Sequence, residues 1–292
     1  MSAHTATTPV RTKPARPKAS RGRVVANTLA VLFCVVWIFP VYWMINTAFK
    51  PPADVTTATP QFFPLHATLT NFHAAITQSH FFRNLANSLI VVGGTLVISI
   101  ALGIFAAAAL TRFRFRARRL ILVVILVVQM LPSAALLIPL FLTFNKLGLL
   151  NHYLGLVLAY VAAVLPFSIW VMRGFFLAIP RELEEAAMVD GASTRQILFR
   201  VLFPLVAPGV IATSIFAFIY AWNDYLLAYS FMKDQDMYTL PVWLASFSTP
   251  TTGTNYGGLM AGSTLFALPV VIFFLIIQRN LVTGMTSGAV KG

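Results

Sequence analysis

Acidic side chains are scarce in this 292-residue sequence: Asp and Glu total 8 against 21 Lys and Arg, and charged residues of both signs make up only 10% of the chain. A water-soluble domain carries about 25% charged residues, so a soluble core would have too little polar surface to cover it. Cysteine is scarcer still. Cys34 is alone and lies in an apolar run, which excludes an intrachain disulfide and leaves it as a small apolar filler. There is no CxxC, and His4, His66, His73, His80 and His152 fall in the N-terminal tail or between apolar runs without ligand spacing, so no metal site is read. A G-x-x-x-x-G-K-[ST] phosphate loop is missing, as are a nucleophile–base pair and paired carboxylates at membrane depth. The chain is therefore not expected to hydrolyse ATP or to act as an enzyme, and no cofactor is expected in it.

What the sequence has instead is apolar length. Hydrophobic residues make up 58% of it and the mean hydropathy is +0.81. Six segments meet the requirement of about 20 mainly apolar residues for a hydrocarbon layer about 30 Å thick: 25–47, 85–110, 120–144, 154–173, 204–226 and 261–280. They must be helical, because a lipid-facing strand edge leaves backbone groups unpaired. The expected fold class is thus all-α, a polytopic membrane protein with six transmembrane helices. Pro40, Pro132, Pro139, Pro166 and Pro269 are expected to break or kink these helices, a feature that membrane spans tolerate. The first run lacks a small-residue cleavage site and is read as retained.

The net charge of +13 resembles that of a nucleic-acid binder, but its distribution argues for no nucleic-acid partner. Arg11, Lys13, Arg16, Lys18, Arg21 and Arg23 precede the first span, and Arg112, Arg114, Arg116, Arg118 and Arg119 fill the gap between the second and third. Basic clusters abutting apolar segments suit anionic lipid and the positive-inside bias. With both termini in the cytoplasm, only Lys50, Arg83, Lys146 and Lys233 of the 21 Lys/Arg lie outside. The expected organisation is a disordered basic cytoplasmic tail over 1–24, a six-span domain over 25–282 and a cytoplasmic C-terminal tail over 283–292. The outer loops 48–84, with a short amphipathic helix near 69–79, and 227–260 offer docking surfaces.

The loop 174–203 between spans four and five breaks the pattern. It holds Glu182, Glu184, Glu185 and Asp190, half of all the acidic residues. Pro180 can occupy a first helical turn, with Glu182 and Glu184 near the positive end of a helix over 181–190. That helix presents Leu183, Ala186 and Ala187 as a stripe. Gly191 can adopt a left-handed turn, and Ser193 with Gln196 forms a capping box for a second helix running to Pro204. The expectation is a cytoplasmic helix–turn–helix. Its glutamates disfavour an anionic lipid surface and favour a partner bearing basic groups.

Here the sequence resembles a known family. Glu185-Ala186-Ala187-Met188-Val189-Asp190-Gly191-Ala192, followed by Val201-Leu202-Phe203-Pro204, is similar to the EAA motif of binding-protein-dependent ABC transporter permeases. That pattern is EAA, three residues, Gly, nine residues and Ile-x-Leu-Pro; Val201 and Phe203 replace its Ile and Leu. Ala221-Trp222-Asn223-Asp224 and the closing segment from Gly284 to Gly292 resemble the MalG-like carbohydrate importers. The resemblance implies a bacterial inner-membrane subunit of an ATP-driven sugar importer. Its partners would be a homologous second permease, two cytoplasmic ATPase subunits that hold ATP and Mg, and an extracytoplasmic substrate-binding protein. Glu185, Ala186, Ala187, Asp190 and Gly191 would couple to the ATPases.

Polar residues inside spans are candidates for a translocation pathway. Gln129 lies about ten residues, roughly 15 Å, beyond Arg119; it either contacts substrate or staples helices. Asn46, Asn223 and Asp224 lie towards outer ends, where Asp224 can cap a helix or pair at an interface. No Lys or Arg lies deep in a span, which favours a neutral sugar over glycerol 3-phosphate, a charged substrate. A stand-alone secondary transporter would need a midplane carboxylate, and a passive scaffold leaves the charged loop unexplained. The orientation is tested by fusions: green fluorescent protein after Lys291 should fluoresce and alkaline phosphatase after Lys233 should be active, whereas the reverse pattern contradicts it.

Overall fold

The computed structural model describes residues 21–77, 80–249 and 253–286. The expected basic tail lies outside the described residues up to residue 20, as does the terminal segment 287–292; helix begins at Arg21. The helices are α1 Arg21–Ala48, α2 Thr70–Thr77, α3 Phe81–Arg112, α4 Arg118–Gln129, α5 Ser133–Lys146 and α6 Tyr153–Ala178. They continue as α7 Glu182–Val189, α8 Thr194–Leu205, α9 Ala207–Asn223, α10 Leu226–Phe231, α11 Leu240–Ala245 and α12 Tyr256–Thr286. Between α11 and α12, Ser248–Thr249 pairs antiparallel with Gly253–Thr254. The chain forms two compact units, one ending at Met44 and the other starting at Ile45; the packing described below is that of the second.

Among the described residues, four helices are long and apolar enough to cross a membrane, and up to six spans result if each of two bent pairs counts as one. This is an all-α, multi-pass membrane protein. The segment expected as one span over 120–144 is broken between α4 and α5 by a bend of 104°. Pro132 causes it: a proline disfavours α geometry in the residue before it, and Pro132 itself is extended at φ −65°, ψ 126°. A second bend of 66° separates α8 from α9 at Val206, two residues before Pro208, whose ring would meet the carbonyl of residue 204 in a continuous helix. Pro40, Pro139, Pro166 and Pro269 lie inside uninterrupted helices, so they do not break them.

The centre of the second unit is the seam between α3 and α6. Small or slender residues line the α3 side, among them Ser88, Thr95, Ser99, Gly103, Ala107 and Thr111, all buried. In lipid, where hydrophobicity does not drive helices together, small residues gain contact by letting backbones approach. A Cβ at Gly103 would touch Ser168 at 3.4 Å, and one at Gly94 would touch Val157 at 3.2 Å. Two of the buried hydroxyls are paired within their own helices, Thr95 Oγ1 donating to the Val91 carbonyl at 2.8 Å and Ser168 Oγ to the Val164 carbonyl at 3.0 Å, whereas Ser88 Oγ accepts from the Leu240 amide at 2.7 Å. Packing then spreads from α9 to α12 through the stacked rings of Phe218 and Phe273, 3.8 Å apart.

Polar clasps fasten one end of the seam. Asn87 Nδ2 donates to the carbonyls of Asp236 at 2.7 Å and Tyr238 at 2.8 Å, and its Oδ1 accepts from the Tyr153 hydroxyl at 2.6 Å. Asn151, left-handed at φ 60°, accepts from the amides of Lys233 and Asp234. Asn46, on the second unit's part of α1, donates to the Gln61 carbonyl at 3.0 Å. The α6–α9 contact is close at Gly209, where a Cβ would lie 2.7 Å from Phe175 Cδ2 and 3.1 Å from Met172 Sδ. Gly209→Val is expected to destabilise the protein by about 2 kcal/mol through overpacking, read as a lowered thermal midpoint in detergent. Gly174→Ala, which meets nothing within 4 Å, should leave it unchanged; equal midpoints for both variants contradict the packing described.

Candidate functional site

The other end of the seam receives α7 and α8. The carbonyl of Arg181 accepts from the amides of Glu184 and Glu185 at 2.9 and 3.0 Å. Arg181 is therefore the N-cap, and Pro180 lies before the helix instead of in its first turn. Glu182, Glu184 and Glu185 occupy that turn, where the helix dipole favours negative charge. At the far end the Ala192 amide donates to the Ala187 carbonyl at 2.9 Å and the Gly191 amide to the Met188 carbonyl at 3.0 Å. That pair of bonds is a Schellman motif. It requires a left-handed residue, and Gly191 supplies one at φ 82°.

The next helix starts at once. The Gln196 amide donates to Ser193 Oγ at 3.4 Å and the Ser193 amide to Gln196 Oε1 at 2.8 Å, closing a capping box. Within α8, residues Ile197–Leu202 form a π turn. This wider turn precedes Pro204, whose ring would clash with the carbonyl of Arg200 in a regular α-helix. Two helices thus meet at Gly191 with both facing ends capped, which stiffens the junction.

Three contacts fix this unit to the bundle. Ala187 and Ala192 pack against the core formed by Ala107, Ala108, Met172, Phe176, Ile197 and Leu202. Arg112 Nη2, at the end of α3, donates to the Ile179 carbonyl at 3.3 Å, and Arg112 Nε pairs with Glu184 Oε1 at 2.7 Å. The Arg112 and Glu184 side chains are only 11% and 15% exposed. The expected stripe is therefore split: Ala187 turns inward, while Leu183, Glu185, Ala186, Val189, Asp190 and Gly191 face out. Val189 is 88% exposed. Exposed apolar groups rimmed by charge mark interaction surfaces.

The residues expected along a pathway do not form one cluster. Asn223 Nδ2 donates to the Ile219 carbonyl of its own helix at 2.8 Å. Asp224 Oδ2 accepts from the Tyr160 hydroxyl at 2.9 Å and from the Ala228 amide at 3.1 Å, so it caps α10 and joins it to α6. Gln129 lines a separate cavity of about 360 Å³ beside the α4–α5 break, together with Ser133, Phe167, Phe216 and Tyr220. Arg112 and Tyr160 were invisible as functional candidates. Each meets its carboxylate across more than sixty residues of chain, and no local pattern marks such a pair.

The chain matches the family of binding-protein-dependent transport system inner membrane components over residues 99–287. With more than half of its length matched, it belongs to that family. The diacetylchitobiose uptake system permease protein of Streptomyces coelicolor is 43% identical over 271 residues, covering 93% of this chain and 98% of that protein. The trehalose transport system permease protein of Mycobacterium tuberculosis is 37% identical over 273 residues, covering 92% and 96% respectively. The crystal structure of a bacterial ABC transporter involved in the import of the acidic polysaccharide alginate contains a chain of the same fold, with a TM-score of 0.78, 23% identity and coverage of 91% of this chain and 99% of that one.

Removing one partner of a mostly buried ion pair strands the other charge. Arg112→Ala is therefore expected to cost about 3 kcal/mol and to increase proteolysis of the 179–194 segment in detergent. Wild-type cleavage rates and thermal midpoint contradict a fastening role for the pair.

Proposed function

We propose that the chain is one of two membrane-spanning subunits of an ATP-driven, binding-protein-dependent importer of neutral oligosaccharides in a bacterial inner membrane, with both termini cytoplasmic. The observation that carries this reading is the capped α7–Gly191–α8 unit, held to α3 by Arg112 and bearing an exposed face at Leu183, Glu185, Ala186, Val189 and Asp190. Family membership and the uptake functions named for the two relatives support it.

In this reading, the exposed face of α7 docks on a cytoplasmic ATPase subunit. ATP and Mg bind there, and closure of the two ATPases draws the paired permeases together. The Schellman turn and capping box keep α7 and α8 from folding against each other, so motion of α7 passes through the Arg112–Glu184 pair to α3 and through Pro204 to α9. Glu185 and Asp190 face the ATPase, Ala186 permits close approach, and Gly191 holds the angle between the helices. Ala187 acts from inside, seating α7 on the bundle. A second permease completes the pathway, and an extracytoplasmic binding protein delivers substrate to the outer loops.

Two measurements test the reading. Proline cannot adopt φ 82°, so Gly191→Pro is expected to abolish uptake while the complex still assembles; normal uptake by that variant contradicts the coupling role. A binding screen on the extracytoplasmic partner should select a di- or oligosaccharide. Capture of a phosphorylated or non-saccharide solute instead contradicts the sugar assignment and leaves the permease assignment standing.

A further inference from the structure

The cavity beside the α4–α5 break is not accounted for by the coupling unit at the other end of α3. Its walls come from five helices: Val128 and Gln129 close α4, Ser133 opens α5, Phe167 belongs to α6, Phe216 and Tyr220 to α9, and Leu227 to α10. Three aromatic rings follow one another along it. Phe167 and Phe216 lie 3.9 Å apart between centroids at 32°, and Phe216 and Tyr220 lie 6.4 Å apart at 32°. Tyr220 is braced edge-on by Tyr160, which is itself tied to Asp224. Among the described residues, no Asp, Glu, Lys, Arg or His lines the cavity.

We infer that this cavity is a subsite for one ring of an uncharged saccharide, formed by this chain alone; the inference rests on the import reading above. Four features carry it. First, the uncharged walls offer a phosphate or carboxylate no counter-charge, and burying an unpaired ion is costly. Second, a pyranose has a C–H face that packs on aromatic rings, and three rings stand in sequence here. Third, the Gln129 amide, the Ser133 hydroxyl and the Tyr220 hydroxyl donate and accept hydrogen bonds, which matches the mixed requirement of sugar hydroxyls. A lipid acyl chain would leave these groups unpaired.

The fourth feature is the helix break. Irregular backbone at membrane depth is tolerated where it is buried in protein or lines a polar cavity, and interrupted helices commonly form the solute sites of transporters. Met130 and Leu131 fall back to bonds with residues three positions earlier. At Ser133, on the cavity wall, α5 begins with leading amides that have no intrahelical acceptor. A volume of about 360 Å³ is at the small end of ligand pockets, which suits one ring of a larger sugar.

The test uses the complete transport complex in proteoliposomes, with Cys34→Ser removing the chain's single cysteine and Ser133→Cys as reporter. N,N′-diacetylchitobiose and trehalose are the probes, and glycerol 3-phosphate is the charged control. At ten times its half-saturating concentration, the disaccharide that the complex imports should slow maleimide labelling of Ser133→Cys about tenfold, and glycerol 3-phosphate should not. Phe216→Leu and Tyr220→Phe should each lower uptake about threefold to tenfold. Saccharide import with unprotected labelling and wild-type uptake by both variants overturns the subsite and leaves the import reading intact. Labelling that responds to lipid acyl composition and not to sugar overturns it in favour of a lipid site. Import of a non-saccharide alone overturns both.

Discussion

The close seam between α3 and α6 is the contact on which the rest of the second unit depends. Lipid supplies no hydrophobic drive between helices, so adhesion there comes from backbone approach, which the small residues of α3 permit. Both ends of the unit are built on these same two helices. At one end Asn87 of α3 and Tyr153 of α6 bond to each other and hold the 236–240 segment. At the other end Arg112 of α3, with Met172 and Phe176 of α6, receives α7 and α8. On the importer reading, one seam thus joins the surface facing the binding protein to the surface facing the ATPase.

The two departures from straight helix follow one rule. Each is set by a proline at its break, and each adjoins a proposed site. Pro132 turns α4 away from α5 beside the aromatic cavity. Pro204 and Pro208 bracket the bend between α8 and α9 beside the capped α7–α8 unit, where a π turn accommodates the first of them. The prolines that leave their helices continuous, such as Pro166, show that the residue alone does not decide the outcome. Neighbouring helices and the local backbone determine whether the lost hydrogen bond bends the chain.

What could be read from the sequence was local. The Gly191 turn and the Ser193–Gln196 box follow from rules that act over three or four residues, and hydropathy marked the long spans, although α3 starts at Phe81, four residues before the expected 85. Pro132 marks a break within 120–144, but hydropathy carries no direction, so neither its 104° size nor the continuity of α5 through Pro139 follows from the sequence. Pro180 suits a first helical turn, yet its neighbour Arg181 provides the cap. Helical spacing puts Ala187 with Ala186 on one stripe, but packing against Ile197 and Leu202 turns Ala187 inward. The Arg112–Glu184 and Tyr160–Asp224 pairs join residues far apart in the chain, and only the assembled bundle brings them together.

The central claim, that Arg112 and Glu184 join the α7–α8 unit to the helix bundle and that this joint is needed for transport, is tested most directly by a charge-exchange cycle. Uptake would be measured in proteoliposomes for Arg112→Glu, Glu184→Arg and the double exchange, at equal levels of assembled complex. The account predicts that each single exchange places two like charges together and abolishes uptake, and that the double exchange restores a substantial part of it. Wild-type uptake in either single variant, or a double variant no better than the worse single one, would contradict it.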